Sequence, residues 1–162
     1  MSLPADLGTP SHLNVLYVED YAPSAALVRD AFRRRAPEIQ LEIVSTVAQA
    51  IEQLSGFEPD RPDPAGSAAT SPPRYDVVLT DLHLPDGLGL DILAHVRSRH
   101  LMLAVVILTS SDEADTVSAA LQAGASGYVT KRDDYLVQLP RALRTAVVRF
   151  RSEAKRRRSS PG

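Results

Sequence analysis

The sequence predicts an α/β fold in which a parallel sheet carries helices on both faces. Short apolar runs, typical of buried strands, alternate five times with segments whose apolar residues recur at helical spacing. Strands that alternate with helices form parallel sheets, and right-handed crossovers leave few topologies open. The expected architecture is an open α/β sandwich.

Composition sets the first limits on function. The 162 residues are enough for one domain with a sizeable core, and 44% hydrophobic with 23% charged residues is ordinary for a globular protein. The chain has no cysteine, which excludes disulfides, thiolate metal sites and cysteine nucleophiles. No apolar run approaches the roughly 20 residues of a membrane helix, and the N-terminus lacks signal-peptide features. We therefore expect a cytoplasmic protein without membrane contact.

Charge is unevenly distributed along the chain. Residues 1–140 hold 10 Lys/Arg and 19 Asp/Glu, whereas residues 141–162 hold 8 Lys/Arg and one acid. We expect a flexible segment over residues 1–10, a folded domain over residues 11–152 and a basic tail over residues 153–162. The tail is most simply a solvated helix end, where cations suit the helix dipole. Too few residues follow it for a helix-turn-helix domain, so we do not expect nucleic acid as a partner.

The first half of the domain contains two strand-helix units. A buried strand over residues 13–18 is followed by a helix that begins near Pro23 and ends at Pro37. Apolar residues alternate with polar ones over residues 39–43, as in an edge strand, and a second helix follows. Residues 55–74 hold five prolines and two glycines, which predicts a long inserted loop.

The second half contains three more units. Strands over residues 76–80, 103–108 and 128–130 are each followed by a helical pattern. The segment LPDG at residues 84–87 predicts a turn. Ser110 and Glu113 have the spacing of a capping box at the start of the fourth helix, which Gly124 ends. The last helix is expected to begin at Pro140, and Leu27 and Leu121 are expected to face the core.

Polar side chains follow four of the five predicted strands, and parallel sheets bind ligands at the carboxyl ends of their strands. Three carboxylates that meet there would repel one another unless a cation such as Mg²⁺ joined them. An aspartate beside that cation can act as a nucleophile, with a lysine and a hydroxyl on the phosphoryl oxygens. The residues are Glu19 and Asp20 after the first strand, Asp81 after the third, Thr109 after the fourth and Lys131 after the fifth.

Each residue alone has a simpler explanation. Asp81 and Asp86 suit a turn, Thr109 suits a helix cap, and a lone lysine is usually solvated. Two other classes of protein share the architecture. A flavodoxin-like cofactor module needs a glycine-rich phosphate loop after the first strand, but residues 19–23 are acidic and glycine-free. An aspartate-nucleophile phosphatase needs a second acid two residues after the nucleophile, where this chain has His83.

Four segments together resemble the receiver domain of two-component response regulators from bacteria. VLYVED, VVLTDLHLPDGLGLDIL, VVILTSS and AGASGYVTK occur in the family's order, and the resemblance runs from about residue 13 to 150. It implies a doubly wound, flavodoxin-like sheet with strand order 2-1-3-4-5. The chemotaxis regulators, which are single-domain receivers, are the members that the chain resembles.

The resemblance also implies a role for each site residue. Asp81 is the phosphoacceptor, and Mg²⁺ is held by Glu19, Asp20, Asp81 and the backbone carbonyl of His83. Thr109 senses the phosphoryl group and Lys131 contacts it. Tyr128 corresponds to the aromatic switch that turns inward when the threonine moves.

A single-domain response regulator is a signalling protein rather than an enzyme, although it promotes its own phosphorylation and slowly hydrolyses the aspartyl-phosphate. The resemblance implies a sensor histidine kinase or a histidine phosphotransfer protein as donor, and output by protein contact or phosphorelay. It also implies a homodimer through the last two helices and strand. The alternative is a receiver that works without phosphate as an interaction module.

The sequence departs from the family pattern in two places. Arg132 follows Lys131 where the family often has a proline with a cis bond. Because a cis bond before a residue other than proline costs about 2.5–4 kcal/mol, we expect a trans bond there. The 55–74 insertion is expected at the end of the sheet opposite the site, where it should leave phosphorylation intact.

Overall fold

A computed structural model describes residues 12–55, 75–110, 114–132 and 134–159 of the chain. Strands and helices alternate as the sequence predicts, with one additional hairpin. In chain order they are β1 (Leu13–Val18), α1 (Ala22–Arg35), β2 (Ile39–Val44), α2 (Val47–Ser55), β3 (Val77–Asp81), β4 (His83–Leu84), β5 (Gly87–Leu88), α3 (Gly89–Ser98), β6 (Ala104–Thr109), α4 (Ala114–Gln122), β7 (Gly127–Thr130) and α5 (Tyr135–Ser159).

Five strands form one parallel sheet in the order β2-β1-β3-β6-β7. Since β6 and β7 are its fourth and fifth strands along the chain, the expected order 2-1-3-4-5 is confirmed. The register places Val18 beside Thr80 and Asp81 beside Leu108. The carboxyl ends of these strands therefore lie at one edge of the sheet.

Two hydrophobic clusters cover the two faces of the sheet, which confirms the doubly wound arrangement. Successive strand residues point to opposite faces. Tyr17 and Leu79 pack with α1 and α5, whereas Leu16 and Val78 pack with α2 and α3. Within the described ranges, no helix is long and apolar enough to cross a bilayer.

Two helical positions that we expected in the core face solvent instead. Leu27 is 55% exposed and Leu121 is 44% exposed. Helical spacing indicates which residues share a face, but that face is wider than the strip that the sheet covers. Leu27 and Leu121 are not covered, so the prediction that they face the core was wrong.

The last helix begins at Tyr135, not at Pro140. Pro140 lies inside α5, where it lacks an amide to donate to the preceding turn. Leu139 is fully buried in the cluster beneath α1 and α5, and Leu136 packs against the same cluster. Burial of these two leucines offsets one missing hydrogen bond, so the helix continues through the proline.

The predicted turn at residues 84–87 is the tip of a small antiparallel hairpin, β4 with β5. Its Asp86 carboxylate accepts hydrogen bonds from the amides of Val47 at 2.8 Å and Ala48 at 3.0 Å. These amides begin α2, so the segment after β3 caps a helix nearly 40 residues earlier. Hydrogen bonding from these amides lowers the pKa of Asp86.

Residues 56–74 and Glu113 fall outside the described residues, as does the pairing of Ser110 with Glu113. The insertion's flanks are described: Ser55 ends α2 and Tyr75 precedes β3. Tyr75 thus lies at the amino end of β3, while Asp81 is at the carboxyl end. Its hydroxyl donates to Glu42 Oε2 at 2.6 Å. The Lys131–Arg132 bond is trans, as expected.

Candidate functional site

Three carboxylates meet at the carboxyl edge of the sheet. Glu19 and Asp20 follow β1, Asp81 ends the neighbouring β3, and one oxygen of each lies within 4.8 Å of the others. Glu19 and Asp81 are buried, whereas Asp20 is exposed. Thr109, at the end of β6, is buried beside β3. Strand order alone brings these four side chains to one place.

Lys131 follows β7 and reaches across to the carboxylates. Its Nζ lies 2.9 Å from Glu19 Oε1 and 3.0 Å from Asp81 Oδ1, with 3.4 Å to Asp81 Oδ2. Asp81 Oδ1 is buried, and Lys131 contacts it as an ion pair rather than through a well-aligned hydrogen bond. The Lys131 side chain is only 18% exposed, so water screens the pair weakly.

Because the charged groups lie close together, the pKa values of the two buried acids shift in opposite directions. Burial and the neighbouring Glu19 raise the pKa of Asp81 to about 8, against the opposing effect of Lys131. Burial alone would also raise the pKa of Glu19, but hydrogen bonding with Asp81 and Lys131 outweighs it and lowers the pKa. For Lys131, burial acts to lower the pKa, yet the two carboxylates raise it overall. Without a further cation, the lysine stays charged and Asp81 holds a proton near neutral pH.

Glu19 is held by more than the lysine. The Tyr17 hydroxyl donates to Glu19 Oε1 at 3.0 Å, and the Tyr21 amide donates to Oε2 at 3.3 Å. Burial and the adjacent Glu19 raise the pKa of Tyr17, so its hydroxyl remains a donor. Tyr17 is not among the site residues that the sequence predicts. The available signal was its spacing, because residues two apart on a strand share a face.

The Asp81 backbone is tightly enclosed. The Thr80 hydroxyl donates to the Asp81 carbonyl oxygen at 2.9 Å. A side chain at Gly89 would place its Cβ 2.4 Å from the same oxygen. Gly89 thus lets α3 start directly against the end of β3. This packing fixes the direction in which Asp81 leaves the sheet.

The arrangement fits a hard divalent cation. Carboxylate oxygens are the ligands that Mg²⁺ prefers, and three carboxylates each bring one oxygen within 4.8 Å of the others here. Glu19, Asp20 and Asp81 could hold the ion. Bound there, Mg²⁺ would favour the ionised form of Asp81 and neutralise phosphoryl charge.

Two residues with predicted roles stand apart from this cluster. The His83 side chain is exposed on β4, which leaves only its backbone available for the expected role. Tyr128 lies on β7 and is 48% exposed. The structure thus brings together the residues that follow strands and leaves the expected switch tyrosine at the surface.

The family profile described as "Response regulator receiver domain" matches residues 15–139. The chain belongs to this family. It is 29% identical to the methanogenesis regulatory protein FilR1 of Methanothrix harundinacea over 149 residues, which are 91% of this chain and 30% of FilR1. It is 32% identical to the regulatory protein LuxO of Vibrio cholerae over 114 residues, 70% of this chain and 21% of LuxO. The receiver thus spans less than a third of either relative.

Solved receiver structures share the fold. A response regulator receiver domain from Clostridium thermocellum superposes with a TM-score of 0.67 at 21% identity, covering 86% of this chain and 98% of that one. The chemotaxis response regulator CheY4 of Vibrio cholerae gives a TM-score of 0.60 at 20% identity, covering 82% and 99%. At this identity, the likeness concerns the fold alone.

Proposed function

We propose that the chain accepts a phosphoryl group on Asp81 from a phosphohistidine, with Mg²⁺ as cofactor. The observation that carries this proposal is the cluster in which one oxygen each of Glu19, Asp20 and Asp81 lies within 4.8 Å of the others, with the Lys131 ammonium 3.0 Å from buried Asp81 Oδ1. A turn residue or helix cap would direct its oxygens at backbone amides, as Asp86 does at α2.

The chain's own residues account for the transfer. An Asp81 oxygen attacks the phosphorus as the donor's nitrogen–phosphorus bond breaks, which leaves an aspartyl-phosphate. Lys131 then moves from Asp81 to a phosphoryl oxygen, and the Thr109 hydroxyl donates to another. Both groups already lie at the strand ends, so transfer needs side-chain rotation rather than backbone rearrangement.

The proposed output is a conformational change in which movement of Thr109 causes the Tyr128 ring to move. Movement of Thr109 toward the phosphoryl group would vacate space beneath β7, and the exposed Tyr128 ring would turn into it. A groove of about 580 Å³ lies beside Tyr128, between β7 and α5. This face is where we propose that a target protein or a second copy binds, and the ring's position would alter its shape.

The proposed donor surface is a second groove, which adjoins the first at Val137. Tyr21, Leu27 and Val137 are exposed apolar side chains, and a groove of about 430 Å³ runs between α1 and the start of α5. Arg132 lines this groove and directly follows Lys131, whose ammonium contacts Asp81, so a partner in the groove would lie near the site. We propose that a sensor histidine kinase or a histidine phosphotransfer protein docks there.

The test is intact mass after incubation with acetyl phosphate and Mg²⁺. We expect one phosphate adduct that is absent with EDTA and absent in Asp81→Asn. If no adduct forms, a phosphohistidine donor is tried next. Failure with both donors, in a folded protein that binds Mg²⁺, would refute the proposal and favour the alternative of an interaction module that works without phosphate.

A further inference from the structure

Tyr17 places a hydroxyl beneath the site from inside the core. The side chain is fully buried, and it packs with α1 and α5 in one of the two hydrophobic clusters. Its hydroxyl donates to Glu19 Oε1 at 3.0 Å. A ring enclosed in this way has little rotational freedom, so the position of its hydroxyl is set by core packing.

Glu19 depends on few donors, and one of them is shared. Oε1 accepts from both Tyr17 and Lys131, while Oε2 accepts the longer bond from the Tyr21 amide. The Lys131 ammonium also contacts Asp81. In the proposed reaction Lys131 turns to the phosphoryl group, which removes its bond from a Glu19 side chain that is only 1% exposed. Tyr17 then remains as the side-chain donor to Oε1.

We infer that Tyr17 is a positioning residue that holds Glu19 in the orientation in which it serves divalent cation binding. The inference rests on the proposed function. Tyr17 touches neither the phosphoryl group nor the cation, and it acts through Glu19 alone. Groups that orient a metal ligand commonly change metal affinity when they are removed, although they make no bond to the metal.

The test compares two buried tyrosines. Tyr17→Phe removes the hydroxyl beneath Glu19, and Tyr75→Phe removes the hydroxyl that bonds Glu42 at the opposite edge of the sheet. Both rings are at most 2% exposed, so the two variants lose matched groups. Calorimetric titration with Mg²⁺, without any phosphodonor, should give a dissociation constant about tenfold weaker for Tyr17→Phe and an unchanged one for Tyr75→Phe.

Phosphorylation by acetyl phosphate adds a second readout. In Tyr17→Phe the Mg²⁺ concentration for half-maximal adduct formation should rise about tenfold, while the rate at saturating Mg²⁺ stays within about twofold. A purely structural role would lower the melting temperature of both variants without moving the Mg²⁺ midpoint of either. That pattern, or an equal shift in the two variants, would overturn the inference.

A third measurement does not need a variant to fold. Magnetic resonance of the wild-type protein should show the buried Tyr17 hydroxyl proton shifting on Mg²⁺ addition, while the Tyr75 hydroxyl proton stays in place. Two unmoved signals would also overturn the inference. If the wild-type protein forms no adduct with either phosphodonor, the proposed function fails, whereas the Mg²⁺ titrations of the two variants still decide the role of Tyr17. Normal wild-type phosphorylation with an unaltered Tyr17→Phe titration would refute the role of Tyr17 alone.

Discussion

Lys131 Nζ lies 2.9 Å from Glu19 Oε1, although 112 residues separate the two along the chain. Both side chains leave the carboxyl edge of one parallel sheet, which is why they meet. Lys131 also contacts Asp81, so one ammonium balances part of the charge of a buried acid pair. The electrostatics of the site depend on this lysine whenever no divalent cation is bound.

Removal of that ammonium should destabilise the protein. In Lys131→Met we expect the free energy of unfolding, measured with urea in EDTA, to fall by roughly 2–3 kcal/mol. This is less than breaking a buried ion pair usually costs, because Glu19 and Asp81 can share a proton instead. Added Mg²⁺ should recover more stability in the variant than in the wild type.

A matched control is Arg141→Met, which removes a charge from the exposed face of α5. We expect a change within about 0.5 kcal/mol. Equal urea midpoints for the two variants would show that Lys131 is not coupled to the carboxylates.

The raised pKa of Asp81 predicts a pH-dependent stability. The pKa rises from 3.8 to about 8 on folding, so the folded protein binds the extra proton between these values. Stability from this group is therefore greatest at low pH and declines as pH rises toward 8. Glu19, whose lowered pKa acts only below its ordinary 4.5, does not affect this window.

Asp81→Asn removes this dependence. Calorimetry in EDTA should show a higher melting temperature for the variant, with a gap that widens from pH 5 to pH 8.5 and reaches on the order of 2 kcal/mol. Mg²⁺ should narrow the gap, because it stabilises the ionised carboxylate. A gap that stays constant with pH would mean that Asp81 is ionised throughout.

The contribution of Asp86 to stability should depend on pH with the opposite sign. Its pKa is lowered by the amides that begin α2, so its charge stabilises the fold above pH 3.8 and this contribution is lost as pH falls through the lowered value. Asp86→Asn should melt below the wild type by a constant amount from pH 5 to 8, with the difference shrinking below pH 4. The control is Asp30→Asn, since Asp30 lies in an exposed pair with Arg34. Equal melting of both variants and the wild type at pH 7 would argue against the cap.

Two glycines should respond differently to alanine. At Gly89 the new methyl group would meet the Asp81 carbonyl oxygen at 2.4 Å, whereas at Gly127 nothing lies within 4 Å. We expect Gly89→Ala to lose about 1–3 kcal/mol and to form less phosphate adduct, because the end of β3 must shift. Gly127→Ala should leave both quantities nearly unchanged. Thermal unfolding and intact mass measure them, and similar behaviour of the two variants would contradict this packing argument.

Local pattern decided much of the fold. Apolar runs located the five strands of the sheet within a residue or two, and alternation with helices predicted that they are parallel. The strand ends then gave a list of candidate site residues, since parallel strands place their carboxyl ends together. Helix ends were harder: Pro140 is a strong breaker signal, but burial of Leu139 outweighs it.

The sequence by itself determined the β-α order and which polar side chains stand at the carboxyl ends of the strands, because both follow from periodicity and from the direction of the strands. Only the tertiary structure decided which neighbours those side chains have. The Tyr17 bond to Glu19, the cap from Asp86 to α2 and the exposure of Leu27 depend on distances between separate elements. A periodic pattern specifies the face on which a residue lies. What covers that face, and how closely two charges approach there, is set by packing of the whole chain.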